Sequence, residues 1–460
     1  MSSRLALLIS GCAFLLPSFG TALDASPAGR TLVIDAGTVI TVSGEEFSPG
    51  MIVIEDGEIT LVGQNLEVPS SARRISARSE TVMPGLILAR TRLGLGAIQR
   101  TGVHADARVL DELHADELDG EPFLEAGIVA AAYVPSGIGF PGQAAVVRPP
   151  RDGEMTVLRE SAYLPVEMSR NGRDRTVFAQ GFERAKKEIE KAEKAKTEWD
   201  KKQAEAKKKA EAAEKKPESE NKDAKKDPDS SGTGQSGTGQ AGPGKTGTET
   251  AGKEKGPEEF TPPVIAPELV PLVAILRNED GALPLLFQIR DAGNVLHIAE
   301  AIAEYEPLAA EKHRTVVFSP SSRSEQRPMV AALGKEKAVV ITTPILTNLP
   351  LTINRINLPA ELDRAGALLI FLPVGDSRDE FLRLRERTAD LVRAGLSRKS
   401  ALKALTLHPA RFLGIDDRLG SIEKGRSADL LFLDGDPFAA ATRATRTMIA
   451  GEWVWEEEGR

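Results

Sequence analysis

Residues 81–95 read Thr-Val-Met-Pro-Gly-Leu-Ile-Leu-Ala-Arg-Thr-Arg-Leu-Gly-Leu, an apolar run that ends in two arginines. Arg90 and Arg92 stand two apart on one strand, so their side chains are expected to share a face. A guanidinium offers five donors, no acceptor, and is never deprotonated in a protein. Two such charges about 4 Å from a divalent cation would each cost about 8 kcal/mol at an effective dielectric of about 20. A partly buried pair must instead be balanced by carboxylates or by an anionic ligand. Asp291, Asp376 and Glu380 are the candidates for the first role. In the second, the pair would hold a phosphate or carboxylate through bidentate hydrogen bonds.

Outward from this stretch, residues 31–83 alternate apolar and polar positions. Thr31–Ile34, Thr38–Val42, Met51–Glu55 and Glu58–Val62 are expected strands, with Asp56-Gly57 as a hairpin turn. The C-terminal end alternates in the same way through Ala428–Leu433, Thr447–Ala450 and, after Gly451, Glu452–Trp455. A small β-domain built from both termini, residues 26–83 and 416–460, follows. The middle alternates apolar strands with amphipathic helices, the pattern of βα units. Gly127–Val134, Ala144–Val147, Leu283–Ile289, Thr315–Phe318, Ala338–Thr342 and Ala367–Leu372 are the strand candidates. Val295–Tyr305, Glu325–Leu333, Ser377–Ala394 and Ser397–Leu405 are the expected helices, the last with a serine cap.

Two barrel parts, 84–182 and 263–415, flank an insertion at 183–262. Together they hold about 250 residues, a typical length for an eight-fold barrel. Glu183 to Lys216 is almost all Glu, Lys and Ala, with Ile189 and Trp199 as isolated apolar positions. Opposite charges at i,i+4 can hold a solvated helix there, with no apolar stripe expected to dock it. Residues 217–256 are rich in Pro, Ser, Gly and Thr, the composition of a disordered tether. The segment reads as a tolerated surface insertion or as a docking arm towards an envelope partner.

The chain has 460 residues, and its net charge of −8 gives no sign of nucleic-acid binding. Arg4, the apolar run Leu5–Leu16 and the small residues before Ala22 or Ala25 form a secretory signal pattern over residues 1–25. The run is too short to span a bilayer, and no other stretch is apolar enough. Cys12, the single cysteine, lies inside it, so the exported chain would carry neither disulfide nor thiolate metal site. A periplasmic or secreted protein is expected; the alternative is a lipoprotein anchored at Cys12, because Ile9-Ser10-Gly11-Cys12 resembles a lipoprotein box.

Pro84-Gly85-Leu86-Ile87 resembles the first barrel strand of the amidohydrolase superfamily, in which a His-x-His metal motif follows. The C-terminal run Ala404-Leu405-Thr406-Leu407-His408-Pro409-Ala410-Arg411-Phe412-Leu413-Gly414 is similar to the helix that closes that family's barrel. It continues into Leu419-Gly420-Ser421-Ile422-Glu423-Lys424-Gly425-Arg426-Ser427-Ala428-Asp429-Leu430, and the nearest group is the imidazolonepropionase-like secreted amidohydrolases. The resemblance implies an α/β fold, a (β/α)8 TIM-like barrel with a small β-sandwich domain. It also implies hydrolysis of non-peptide C–N bonds with one or two divalent metals, zinc as a rule.

The metal positions the resemblance assigns are changed here. Arg90 and Arg92 take the two histidine places of strand one, Gln288 that of strand five and Ser319 that of strand six. Asp376 is the one residual acid near strand eight, and the strand-four place is not located. An aspartate alone holds no catalytic zinc. The five histidines are read as structural: His408 in the closing helix, His297 in a helix, His313 before a strand, and His104 and His114 on an acidic solvated face. The Gly-rich loop Ser136–Gln143 is weighed as a ligand contact against a simple turn. The expectation is therefore a binding or scaffold pseudoenzyme with no metal cofactor, a small molecule or anion in the barrel mouth, and a homodimer as candidate assembly. The alternative is an active C–N hydrolase with a rebuilt site.

Overall fold

The computed structural model describes residues 31–167, 172–214, 259–289, 292–309, 313, 315–320 and 325–457. The expected signal segment with Cys12, the tether 217–256 and Asp291 lie outside them.

Strands β1 (Leu32–Ile40), β2 (Glu46–Phe47), β3 (Gly50–Glu55), β4 (Glu58–Gly63) and β5 (Arg73–Pro84) open the chain. β3 and β4 meet at Asp56-Gly57, both with positive φ (51° and 84°), as a two-residue hairpin turn requires. β5 pairs parallel with β1 along most of its length. Gly85 then carries the chain onward into the barrel. A Cβ there would stand 2.4 Å from a Val129 methyl, so only glycine permits the crossing.

The barrel strands are β6 (Leu86–Thr91), β8 (Ile128–Tyr133), β10 (Ala144–Val147), β11 (Val157–Glu167), β12 (Leu285–Gln288), β13 (Thr315–Phe318), β14 (Val339–Thr342) and β17 (Leu368–Phe371). Between them lie β7 (Gln99–Val103), β9 (Ser136–Phe140), β15 (Thr347–Asn348) and β16 (Arg355–Ile356). The barrel order is β6-β8-β10-β11-β12-β13-β14-β17, and β17 returns beside β6, so the sheet nearly closes. Ile87, Tyr163, Leu286, Val317, Ile341 and Ile370 fill its interior. Outward-facing Leu88, Phe287, Val340 and Phe371 join the larger core under the helices.

Those helices are α1 (Glu121–Glu125), α2 (Gly172–Glu214), α3 (Val270–Leu276), α4 (Ala292–Ala303), α5 (Pro328–Lys335), α6 (Leu358–Ala365), α7 (Arg378–Arg393), α8 (Arg398–Leu405) and α9 (Leu407–Leu413). Ser377 and Ser397 cap α7 and α8 by accepting the backbone N–H groups of Glu380 and Ser400. β18 (Leu430–Leu433), β19 (Ala444–Ile449) and β20 (Glu452–Glu456) end the chain.

The structure refines the expected architecture at three points. The fold is mixed α/β and barrel-like, but β10 runs antiparallel to both β8 and β11, so the eight βα units are incomplete. A parallel crossover needs a dozen or more residues; residues 134–143 and 148–156 are too few, and the second link turns tightly at Asp152-Gly153. Strands from both ends of the chain lie in one hydrogen-bonded sheet, β20-β19-β18-β5-β1-β3-β4 with β2 on β1. β5 joins the ends, since its last residues also pair with β18.

The charged insertion is the third. Its helix starts at Gly172, and Phe178, Phe182 and Ala185 form a fully buried stripe at i, i+4 and i+7. Ile189 also packs on the core, and Trp199 lies 5.7 Å from Phe260. The helix is therefore docked along its first turns and solvated beyond them.

Barrel and terminal sheet are tied by one buried ion pair. Arg148, just after β10, donates to Asp429, just before β18, at 2.6 Å. Asp429 also accepts from Ser427 Oγ (2.6 Å) and the Ala450 N–H (2.9 Å).

Candidate functional site

The carboxyl ends of barrel strands carry chemistry in this architecture. Here Arg90, Glu167, Gln288 and Val317 line one small cavity of about 30 Å³. Glu167 ends β11 and stands directly beside Gln288, the end of β12. β11 is the fourth barrel strand, and Glu167 stands at its carboxyl end. The apolar run Leu164-Pro165-Val166 ending in an acid is the signal available for it.

The register of β6 against β8 shifts between Leu88 and Thr91, beside Arg90. A bulge of this kind moves the following side chains to the other face. Arg90 enters the cavity and has no hydrogen-bond or ion-pair partner among the described residues. Arg92 instead donates to the Val134 carbonyl (2.8 Å) and the Gly96 carbonyl (3.1 Å). Burial, then repulsion from Arg90, holds its guanidinium below the ordinary arginine range, with Glu112 and Asp376 acting the other way.

Asp376 accepts from Thr91 Oγ1 and from the Arg92 N–H, both at 2.9 Å. It pins β6 to the segment after β17 and makes no contact with the Arg90 guanidinium. Glu380 pairs with Arg387 (2.9 Å), so it does not neutralise the pair either. Ser319 is exposed and does not line the cavity. Glu112 pairs with Arg100 close by, a contact the sequence does not suggest.

The Gly-rich loop forms β9, which pairs with β7 and touches β11 at Gly139. Its glycines serve backbone packing: a Cβ on Gly137, Gly139 or Gly142 would meet the carbonyl oxygens of Arg100, Gly102 or Ala107 at 1.7, 2.6 and 2.6 Å. β7, β9 and the first turns of α2 together roof the barrel mouth. Phe140 at the end of β9 stacks on Phe178 and meets Phe182 edge-on.

The histidines lie elsewhere. His297 is exposed, and the wholly buried His313 accepts the Leu285 N–H on Nδ1 (3.2 Å). His104 Nε2 lies 3.3 Å from the Thr101 carbonyl, and His114 is exposed. His408 sits on α9, its Nδ1 2.9 Å from the Leu369 carbonyl at the opposite end of the barrel. Among the described residues no three His, Cys, Asp or Glu side chains form a group that could hold a metal. Among the described residues the cavity lining offers a guanidinium, an amide and one carboxylate. Their donors face the space where a dication needs lone pairs, so these residues do not fit a catalytic zinc.

Residues 296–454 match the amidohydrolase family. Over 64 residues it is 42% identical to the N-acetylglucosamine-6-phosphate deacetylase of Bos taurus. Against the Homo sapiens enzyme of that name the identity is 39%, again over 64 residues. Each match spans 14% of this chain and 14% of the enzyme, a small part of those relatives. Among solved structures, an amidohydrolase from Thermotoga maritima is 19% identical with a TM-score of 0.66, covering 93% of this chain and 100% of that one. That likeness is one of fold. Among the described residues no helix is long and apolar enough to cross a membrane.

Proposed function

We propose that this chain is an exported amidohydrolase-family protein that has lost the catalytic metal centre and acts as a binding or scaffold protein. The observation that carries the reading is Arg90, a guanidinium inside the mouth at a position the family resemblance gives to a metal-binding histidine. The cavity beside it, about 30 Å³, has room for about two water molecules. A small oxyanion is the ligand class that Arg90 and Gln288 suit, with Glu167 opposing larger negative charge. Export rests on the signal-like residues 1–25, with a periplasmic or secreted location and lipid anchoring at Cys12 as the alternative. The insertion is the surface available to an envelope partner.

Elemental analysis of the purified protein should find zinc, manganese and iron well below one per chain, and no chelator-sensitive hydrolysis of N-acetylated amino sugars or cyclic amides. One tightly bound metal per chain with chelator-abolished hydrolysis would establish the alternative, an active C–N hydrolase, which the family match favours. In the same preparations phosphate should raise the melting temperature, and Arg90→Ala should remove that gain. An undiminished gain in Arg90→Ala would reject the anion assignment.

A further inference from the structure

A second cavity, of about 470 Å³, opens at the other end of the barrel, where the strands begin. Its volume lies in the range of small-molecule sites. Pro284, Val339, Leu368 and Phe412 give it apolar walls, and His408 and Arg411 bring polar atoms to it. We propose that this cavity binds a small 2-hydroxy carboxylate with an apolar tail, a ligand unrelated to the barrel mouth.

The head group follows from α9. His408 and Arg411 are three apart on this helix, so their side chains are neighbours on one face. A carbonyl can only accept, so His408 Nδ1 must carry the proton that meets Leu369 O. That fixes the tautomer and leaves Nε2 as an acceptor, matched to a hydroxyl. Burial, and after it the cations Lys403 and Arg411, keeps this imidazole below its usual range, while the Leu369 contact and Asp363 act the other way. Among the described residues Arg411 has an ion-pair partner only in Asp416, at 3.8 Å, and its side chain is 58% exposed. It is available to a carboxylate. Arg159, also at the cavity, is engaged by the carbonyls of Ser161, Leu413 and Gly414 and does not compete.

The tail follows from the walls. Leu368 begins β17 yet is 41% exposed, an apolar rim to the cavity. Phe412 leans on Tyr163 at 5.0 Å, so its ring is held in place as a rigid wall. A ligand with its acid and hydroxyl on adjacent carbons can address Arg411 and His408 together while its tail covers Leu368 and Val339.

The test is calorimetric titration of the full chain with 3-phenyllactate, 3-phenylpropanoate (no hydroxyl) and 3-phenylpropane-1,2-diol (no carboxylate). Phenyllactate should bind about tenfold tighter than either. Leu368→Trp, which fills the rim, should abolish its binding. Arg411→Gln should weaken both acids and leave the diol unchanged, and His408→Phe should remove the preference for the hydroxy acid. Leu368 and Arg411 are exposed, so their variants keep the fold, which circular dichroism checks. Three outcomes overturn the proposal: no binding of phenyllactate, equal affinity for the three compounds, or undiminished affinity in Leu368→Trp. Loss of binding in Arg90→Ala would also overturn it, by moving the ligand to the mouth.

Discussion

Arg148→Met should lower the stability of the protein by about 3–5 kcal/mol, the cost of leaving one member of a buried ion pair alone. Arg148 and Asp429 are 8% and 5% exposed, so water cannot replace the lost guanidinium. Asp429 would keep Ser427 Oγ and the Ala450 N–H, two neutral donors for a full charge. The pair also joins the barrel to the terminal sheet, so its loss should lower the denaturant midpoint of the whole molecule without changing the slope. Asp429→Asn in the same chain removes the stranded charge yet keeps the carbonyl for Ala450. The double variant should therefore lose less than the sum of the singles. A midpoint for Arg148→Met within about 0.5 kcal/mol of the parent would sink the argument.

Phe182→Ala should cost about 3–5 kcal/mol, as for a large ring removed from a closed core. The ring is fully buried, 4.9 Å from Phe178, 5.6 Å from Phe140 and 5.2 Å from Tyr305. It locks α2 to β9 and so holds the roof over Arg90. Further along the same helix, Lys201→Ala and Lys208→Ala should stay within about 0.5 kcal/mol, because both side chains are exposed. Urea unfolding of the three variants measures the contrast. Equal, small effects would mean that the whole helix is a loose appendage.

That contrast also marks where residue pattern informs and where it stops. The shift to Lys, Glu and Ala puts the boundary at 183, eleven positions inside a helix that begins at Gly172. Phe178, Phe182 and Ala185 have readable helical spacing, but the composition that follows outweighs it. β10 and β13 match the expected Ala144–Val147 and Thr315–Phe318, because a strand buried on both faces reads as a plain apolar run. The same property hides direction, so the antiparallel course of β10 is not legible. β11 escapes notice because Arg159, Glu160 and Ser161 interrupt its apolar pattern. At the site, Arg90 and Gln288 fall at strand ends as expected. The bulge beside Arg90 and the two carbonyls that hold Arg92 leave no mark in residue type.

The antiparallel course of β10 divides the barrel into halves of unequal contact range. From Ile128 to Glu167 the strands meet neighbours a short way along the chain, whereas β11 and β12 pair across the entire α2 excursion. Closing a loop costs entropy that rises only with the logarithm of its length, about 0.6 kcal/mol per doubling. Lengthening or trimming the solvated part of the excursion, beyond its docked first turns, thus barely alters the equilibrium, while the ribbon half can zip up first and template the rest. Evolution is left free to vary that excursion almost without penalty to the barrel beneath it.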